Sequence, residues 1–315
     1  MVLDPSYGPD QRAFADAIAA FVRDHQKSWQ PDPGGGASGP AFPAEAWRAL
    51  AELGVLGLGA PDSGAGAVDV AAAAEALGRH GVPGPLWHTI LATAVLDDAA
   101  TAEAVAAGRA VVAAGAPERL PWAAEAAVLL DLTGLRAGEI WLLADVRPGA
   151  PAVMLGQERW AGVTARRDRR LPAPETAVLL ADLAHAGYLV GVAERILTDA
   201  AAYARSRRQF GRPIGDFQGV ALPLADCAAR IAAAGALVRR AAASGDGPAG
   251  QVALASAARA ARGTLYQCHQ AYGAIGFTDE GPLAWLGGRV GLLATEAEAP
   301  WRRATDTALI GLVRR

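Results

Sequence analysis

Phe14, Ile18, Phe21 and Val22 recur at steps of three and four, which predicts a first amphipathic helix. The run Pro31 to Pro40, PDPGGGASGP, cannot continue that helix and reads as a loop. A second helix carries Trp47, Leu50 and Leu53 on its apolar face, with Gly54 near its end. GLGAPDSGAGA reads as a second flexible loop, and AVDVAAAAEALGRHG as a helix stopped by Gly81 and Pro83. An alanine-rich stretch at about 90–108 reads as more helix. Near residue 110 the texture changes. AVLLDL, EIWLLADV and PAVML are short apolar runs between glycines and prolines, of a length that suits buried strands. From about residue 180 the helical spacing returns, with Leu189, Val190, Ala193, Ile196, Leu197 and Ala200 on one face. Val220, Leu224, Cys227, Ile231, Ala234 and Val238 then alternate steps of four and three, the seam of a helix bundle. SGDGPAG (244–250) is a turn, and a third long helix runs through Gln267. The predicted fold class is mainly α with a small β insert: a helical domain over 1–109, a reduced β middle domain over 110–178 and a helix bundle over 179–315.

Composition narrows the function classes. The chain has 315 residues, 52% hydrophobic and 19% charged, enough apolar material for a sizeable core. A formal charge of −3 argues against a nucleic-acid or acidic-membrane partner. The two cysteines, Cys227 and Cys268, exclude a disulfide framework and point to a reducing compartment. The N-terminus, MVLDPSYGPDQRAF, lacks the basic-then-apolar order of a signal peptide. The apolar stretches are mostly alanine and are cut by Asp, Glu, Arg or Gly, so no transmembrane span and a cytoplasmic location are expected. Five histidines lie scattered without ligand spacing, so no metal site is expected.

Two segments carry candidate chemistry. In YARSRRQFGRPIGDFQ (Tyr203–Gln218) a long helix ends in Arg205, Arg207 and Arg208 before Gly211 and Pro213 break it. Taken alone, these cations complement the helix dipole. In QAYGAIGFTDEGPL (Gln270–Leu283) a helix runs into a glycine-spaced turn, which lets backbone approach a phosphate or a neighbouring helix. Together, in this order and about sixty residues apart, the two resemble the C-terminal domain of the acyl-CoA dehydrogenases. That family shows an R-x-x-F-G-x-x-[IL]-x-x-[FH]-Q stretch followed by a Q-x-x-G-G-x-G-[FY] turn. Trp47–Arg79 resembles the family's N-terminal helical domain, so the likeness covers both ends of the chain.

The resemblance implies the family's fold, with a C-terminal four-helix bundle, and its cofactor, FAD. In the family the Arg and Phe of the first motif contact the FAD diphosphate and adenine portion of a neighbouring subunit. The matching residues are Arg207 and Phe210, with Gln209 and Gln218 beside them. The turn that reaches the same flavin matches Gln270, Gly273, Ala274 and Gly276, Ala274 replacing the usual second glycine. Thr278 follows where the family often has a polar group near the nucleotide. An arginine offers a diphosphate a fixed, charge-assisted fork.

The implied reaction, α,β-desaturation of an acyl-CoA, also needs a base for the α-proton, and a carboxylate in an apolar pocket suits that role. The family places it at one of two positions, which here correspond to Ala297, flanked by Glu296 and Glu298, and to Ala181, followed by Asp182. The arginine usual at the second position is also missing. Glu296 and Glu298 are candidates if the loop shifts by one residue, against the reading of two exposed loop glutamates. Asp182 reads as a helix-start residue, and His185, His269 and Glu280 as solvated or packed side chains. The family's T-E-P-x-x-G-S-D-like stretch, which holds the flavin ring, is absent. RLPWAAEA (Arg119–Ala126) occupies the comparable region.

This pattern resembles a shortened subunit of the heteromeric α2β2 actinobacterial type, whose active sites lie at the mixed interface and often take bulky, steroid-derived acyl-CoA thioesters. The implied partners are an acyl-CoA substrate, a homologous dehydrogenase subunit and an electron-transfer acceptor protein. The alternatives are a self-sufficient homo-oligomer using Glu296 or Glu298, and a structural subunit without flavin.

Overall fold

The computed structural model describes residues 6–25, 29, 42–154, 158–278, 281, 283–299 and 302. The loop expected at Pro31–Pro40 and the position of Glu280 lie outside them.

The N-terminal part is helical. Helix α1 (Pro9–Asp24) turns Ile18 and Val22 inward, and α2 (Ala44–Glu52) buries Trp47 and Leu50. Gly54, at φ +78°, takes the left-handed conformation that ends α2 and starts a 3-10 turn at Val55–Gly57. Helix α3 (Ala67–His80) begins where the Asp69 carboxylate accepts from the Gly66 amide at 2.7 Å, and it stops at Gly81, φ +64°. The stretch expected as one helix at about 90–108 is two, α4 (Leu86–Val95) and α5 (Ala99–Ala106). The break has a local cause: the Asp98 carboxylate accepts from the Thr101 amide at 2.8 Å and starts a new helix.

The β region forms two small sheets. One has the order β1 (Val112–Gly115), β3 (Val128–Asp131), β4 (Glu139–Pro148), β7 (Val163–Pro172), with β1 parallel to β3 and the rest antiparallel. The other joins β2 (Leu120–Pro121), β6 (Glu158–Ala161) and β5 (Ala152–Met154). A small core of Ala113, Leu120, Ala123, Leu129, Leu143 and Ala161 fills the space between them. Strand β7 escapes the apolar pattern because it is a solvent-facing edge. Its Arg166, Arg167, Arg169 and Arg170 pair with Asp145, Asp131, Asp97 and Glu139, so this basic run is neutralised within the chain.

Four helices make the C-terminal bundle: α6 (Glu175–Ser206), α7 (Gln218–Ser244), α8 (Gly247–Tyr272) and α9 (Ala284–Ala297). Leu224, Cys227, Ile231, Ala234 and Val238 are buried along the seam of α7. Gly245, at φ +67°, turns the chain between α7 and α8, and α8 continues to Tyr272, beyond Gln267. Helices α3 and α6 cross at backbone contact. A β-carbon on Gly78 would overlap the Tyr188 carbonyl, and one on Gly191 would overlap the Glu75 carbonyl. One hydrophobic core runs from the N-terminal helices through β1, β3 and β4 into the bundle.

Two helices are long and apolar enough to cross a membrane by length and composition, α6 and α7, contrary to the expectation from the interrupting charges. The apolar window of α6 is 83% buried in the fold, whereas that of α7 is only 28% buried. Ala225, Ala228, Ala229, Ala232 and Ala233 of α7, outside its seam, therefore lie on an outer face.

Candidate nucleotide-facing site and a buried polar cluster

Helices α6 and α8 run in the same direction. Gly247 lies against Glu175 and Gly250 against Leu179 at one end, and the rings of Tyr203 and Tyr272 meet at 4.7 Å at the other. That register brings both C-terminal ends together, and with them the two sequence motifs. After α6 the Arg207 amide donates to the Tyr203 carbonyl at 2.8 Å, and a hairpin of β8 (Arg208–Gln209) and β9 (Arg212–Pro213) follows. Phe210 and Gly211 form its tip at φ +51° and +82°, the left-handed pair of a tight hairpin turn. This geometry pushes Phe210 out to 92% exposure. The Arg212 guanidinium lies 4.1 Å from the ring centroid of Phe217, and Gln218 opens α7. Arg207, Gln209, Phe210 and Gln218 all face outward.

The glycine turn completes this surface. Gly273 sits at φ +64° and ψ −141°, a conformation suited to glycine, and nothing lies within 4 Å of where its β-carbon would be. Gly276 differs. It is buried, and a β-carbon there would press on Tyr272 at 3.0 Å, so it serves packing. Gln270, Ala274, Ile275 and Phe277 are exposed, His269 stacks on Phe277 at 4.5 Å, and the Thr278 hydroxyl donates to the Ile275 carbonyl at 3.0 Å. Among the described residues no carboxylate pairs with Arg205, Arg207, Arg208 or Arg212. Arginines without a carboxylate, open backbone at Gly273 and a protruding aromatic ring fit a nucleotide diphosphate.

The region comparable to the family's flavin-ring stretch faces the other way. Leu120, Trp122 and Ala123 are buried, Trp122 packs edge-on against Phe42, and Arg119 lies over Trp160. The chain therefore offers no row of exposed hydroxyls there.

The candidate bases separate sharply. Glu298 is half-buried and holds Arg262 with both oxygens, at 2.7 and 2.8 Å. Glu296 belongs to helix α9, not to a loop, and is buried. Trp87 Nε1 donates to it at 3.1 Å, and His88 Nε2 lies 3.4 Å from its other oxygen. Asp182 lies inside α6, which starts seven residues earlier, so it is no helix-start residue. It is buried and accepts from Arg302 Nη2 at 3.1 Å. Burial pushes the Asp182 carboxyl up to about 6, with Arg302 opposing. The same burial pushes His185, which contacts Arg302, well below the ordinary histidine range, and lowers His88. Arg289, fully buried, donates to the Tyr188 hydroxyl and to the Gly84 carbonyl at 3.1 Å. Sequence reasoning missed Trp87, His88 and Arg302. The signal for Trp87 and His88 was a Trp–His pair within the otherwise apolar LWHTILATAV, which says nothing of Arg302. No group of three or more metal-ligating side chains occurs among the described residues.

Comparison with known proteins follows the same division. The model of the acyl-CoA dehydrogenase N-terminal domain matches residues 8–107, and that of the C-terminal domain matches residues 176–292. Acyl-CoA dehydrogenase IpdE2 of Mycobacterium tuberculosis is 35% identical over 224 residues, 64% of this chain and 66% of that protein. FadE34 of the same organism is 33% identical over 278 residues, 75% of this chain and 38% of its own length. The chain thus spans less than two thirds of the length of these relatives. Among solved structures, the Tcur3481-Tcur3483 steroid ACAD G363A variant superposes with a TM-score of 0.74 at 21% identity, covering 97% of each chain. The ChsE4-ChsE5 complex from Mycobacterium tuberculosis does so with 0.73 at 21%, covering 99% of this chain and 98% of that one.

Proposed function

The chain belongs to the acyl-CoA dehydrogenase family, and from that premise we propose that it contributes the nucleotide-facing half of an FAD site to a heteromeric acyl-CoA-desaturating complex. The observation that carries this reading is the joining of two exposed motifs, around Arg207 and Gly273, on one basic and aromatic face. Arg207 would hold the diphosphate of a flavin seated mainly in a homologous subunit. Phe210, Gln209, Gln218 and Gln270 would flank the nucleotide, and Gly273 and Ala274 would let it approach the backbone. FAD, the family's cofactor, accepts the β-hydride when bound. An electron-transfer acceptor protein would then reoxidise the complex.

The base is assigned to the partner subunit. In this chain Ala181 and Ala297 cannot take a proton, Glu298 is held by Arg262, and Glu296 and Asp182 are engaged inside the fold. A bulky, steroid-derived acyl group is the favoured substrate class, supported by the neighbour described as a steroid ACAD. A mixed α2β2 assembly is supported by the neighbour described as a complex of two proteins.

The test is flavin content. The chain purified alone should be colourless, and its complex with a co-expressed homologous subunit should carry FAD. Arg207→Ala should weaken FAD retention by at least about tenfold, the worth of one charge-assisted hydrogen bond to a charged group. A chain that is yellow by itself, or an Arg207→Ala complex with undiminished flavin, would overturn the half-site reading.

A further inference from the structure

The uncovered face of helix α7 is close to a palindrome. Leu222, Ala225, Ala229, Ala232, Ala233 and Ala236 recur at helical spacing on the side opposite the buried seam, and all but the half-buried Ala236 are exposed. Leu222 and the exposed Leu237 stand at the two ends of this alanine stretch, seven residues before Ala229 and eight after it. Asp226 and Arg230 are exposed and lie on the same flank as Leu237, where they pair within the helix at 2.7 Å. On that flank a cavity of about 590 Å³ opens between α7 and α8, lined by Ala233, Leu237, Val252, Leu254 and Ala255 among others.

A second copy of the same helix is the occupant that fits this symmetry. A two-fold axis beside Ala229 sets that residue on its own counterpart, and side chains this small let two antiparallel helices close to ~8 Å. At ~1.5 Å per residue, Leu222 then lies ~1.5 Å along the axis from the second copy's Leu237, and Asp226 ~3 Å from its Arg230. The two-fold keeps equivalent flanks on one side. The leucines therefore meet at the mouth of the cavity, and each carboxylate meets a guanidinium. Parallel packing would instead set Asp226 on Asp226 and Arg230 on Arg230, which like charge opposes. A homologous subunit need share neither end of the palindrome, whereas a second copy shares both by identity. We infer that α7 joins two copies of this chain antiparallel, with Leu222–Leu237 and Asp226–Arg230 as reciprocal contacts between them. This goes beyond the half-site reading: the flavin face joins the chain to a different subunit, and α7 joins two such pairs.

The experiment is sedimentation velocity on the full chain alone, over a range of concentrations. Wild type should be dimeric. Asp226→Arg sets an arginine against Arg230 across the two-fold, and Arg230→Asp sets an aspartate against Asp226, so each should weaken self-association at least about tenfold. Mixed in equal amounts, the two variants should dimerise again, because every charged contact across the two-fold then joins an arginine to an aspartate. An ion pair within one helix cannot produce that rescue, since each variant has lost its own. Both positions are exposed, and an unchanged circular dichroism spectrum shows that the helix is kept. The inference is overturned if the single variants dimerise as wild type does, or if their mixture stays monomeric. It is overturned equally by a wild type that is monomeric throughout, whether α7 then binds the homologous subunit or phosphatidylglycerol vesicles. The assay reads mass without flavin, so its outcome and the flavin content of the Arg207→Ala complex fail independently.

Discussion

Asp182 shows what a single buried carboxylate does to this fold. Its proton is held up to about 6 against an ordinary 3.8, because burial disfavours the charge more than Arg302 favours it. A raised folded-state value stabilises fully below about pH 3.8 and loses that contribution as pH rises through about 6. Arg302, His185, His88 and Glu296 line the same cluster, so the clean readout is a difference between two proteins. Asp182→Asn should gain on wild type by up to about 3 kcal/mol between pH 4 and pH 6.5, since each tenfold change in proton affinity is worth about 1.4 kcal/mol. Urea unfolding at the two pH values measures it, and a constant gap would contradict the burial argument. His185 pulls the other way. Its neutral form is the one the fold holds, so that contribution is present above the ordinary histidine value and lost as pH falls. Arg207, Phe210 and Gly273 were legible in the sequence because a turn's chemistry is written in adjacent residues. The burial of Glu296 was not legible, since its partners Trp87 and His88 lie more than two hundred positions away.

Among the elements, the crossing of α3 and α6 decides most. Gly78, Gly187 and Gly191, with Ala71 and Ala74, bring two backbones together where no side chain fits. Gly191→Val should cost at least about 2–3 kcal/mol, because the new methyls meet the Glu75 carbonyl and not a flexible side-chain end. Gly263 is the counter-case on α8. Nothing lies within 4 Å of its β-carbon position, and Gly263→Ala should stabilise the isolated chain by about 0.5–1 kcal/mol through helix propensity. Denaturant unfolding of the two variants should move in opposite directions. Helical periodicity revealed the seam of α7 well, because one face of that helix is buried and the other is not. It located α6 only in part, for that helix is buried on most sides and its pattern is nearly uniform. Strand β7 went unseen for the opposite reason. An exposed edge strand of paired arginines has no apolar alternation to read.

For the whole molecule, the telling quantity is what remains uncovered. Phe210 is 92% exposed, Phe277 70%, Leu222 63% and Tyr266 62%, beside an α7 whose apolar window is largely open. A surface of this kind suits an interface with another subunit. Leu222→Glu should therefore shift the co-purified assembly towards smaller species in sedimentation velocity, with an unchanged circular dichroism spectrum. If the assembly keeps its mass, that face of α7 is not the interface. By itself the sequence determined the helix–sheet–helix order and the two motifs around Arg207 and Gly273, because each is a property of neighbouring residues. Only the tertiary structure decided that α6 and α8 end side by side, so that the motifs form one face. It also decided that Trp87, His185 and Arg302 pack with Asp182 and Glu296 into one buried polar cluster. Those outcomes depend on helix register and crossing distance, which are set by packing between segments far apart in the chain and leave no mark in any local stretch of it.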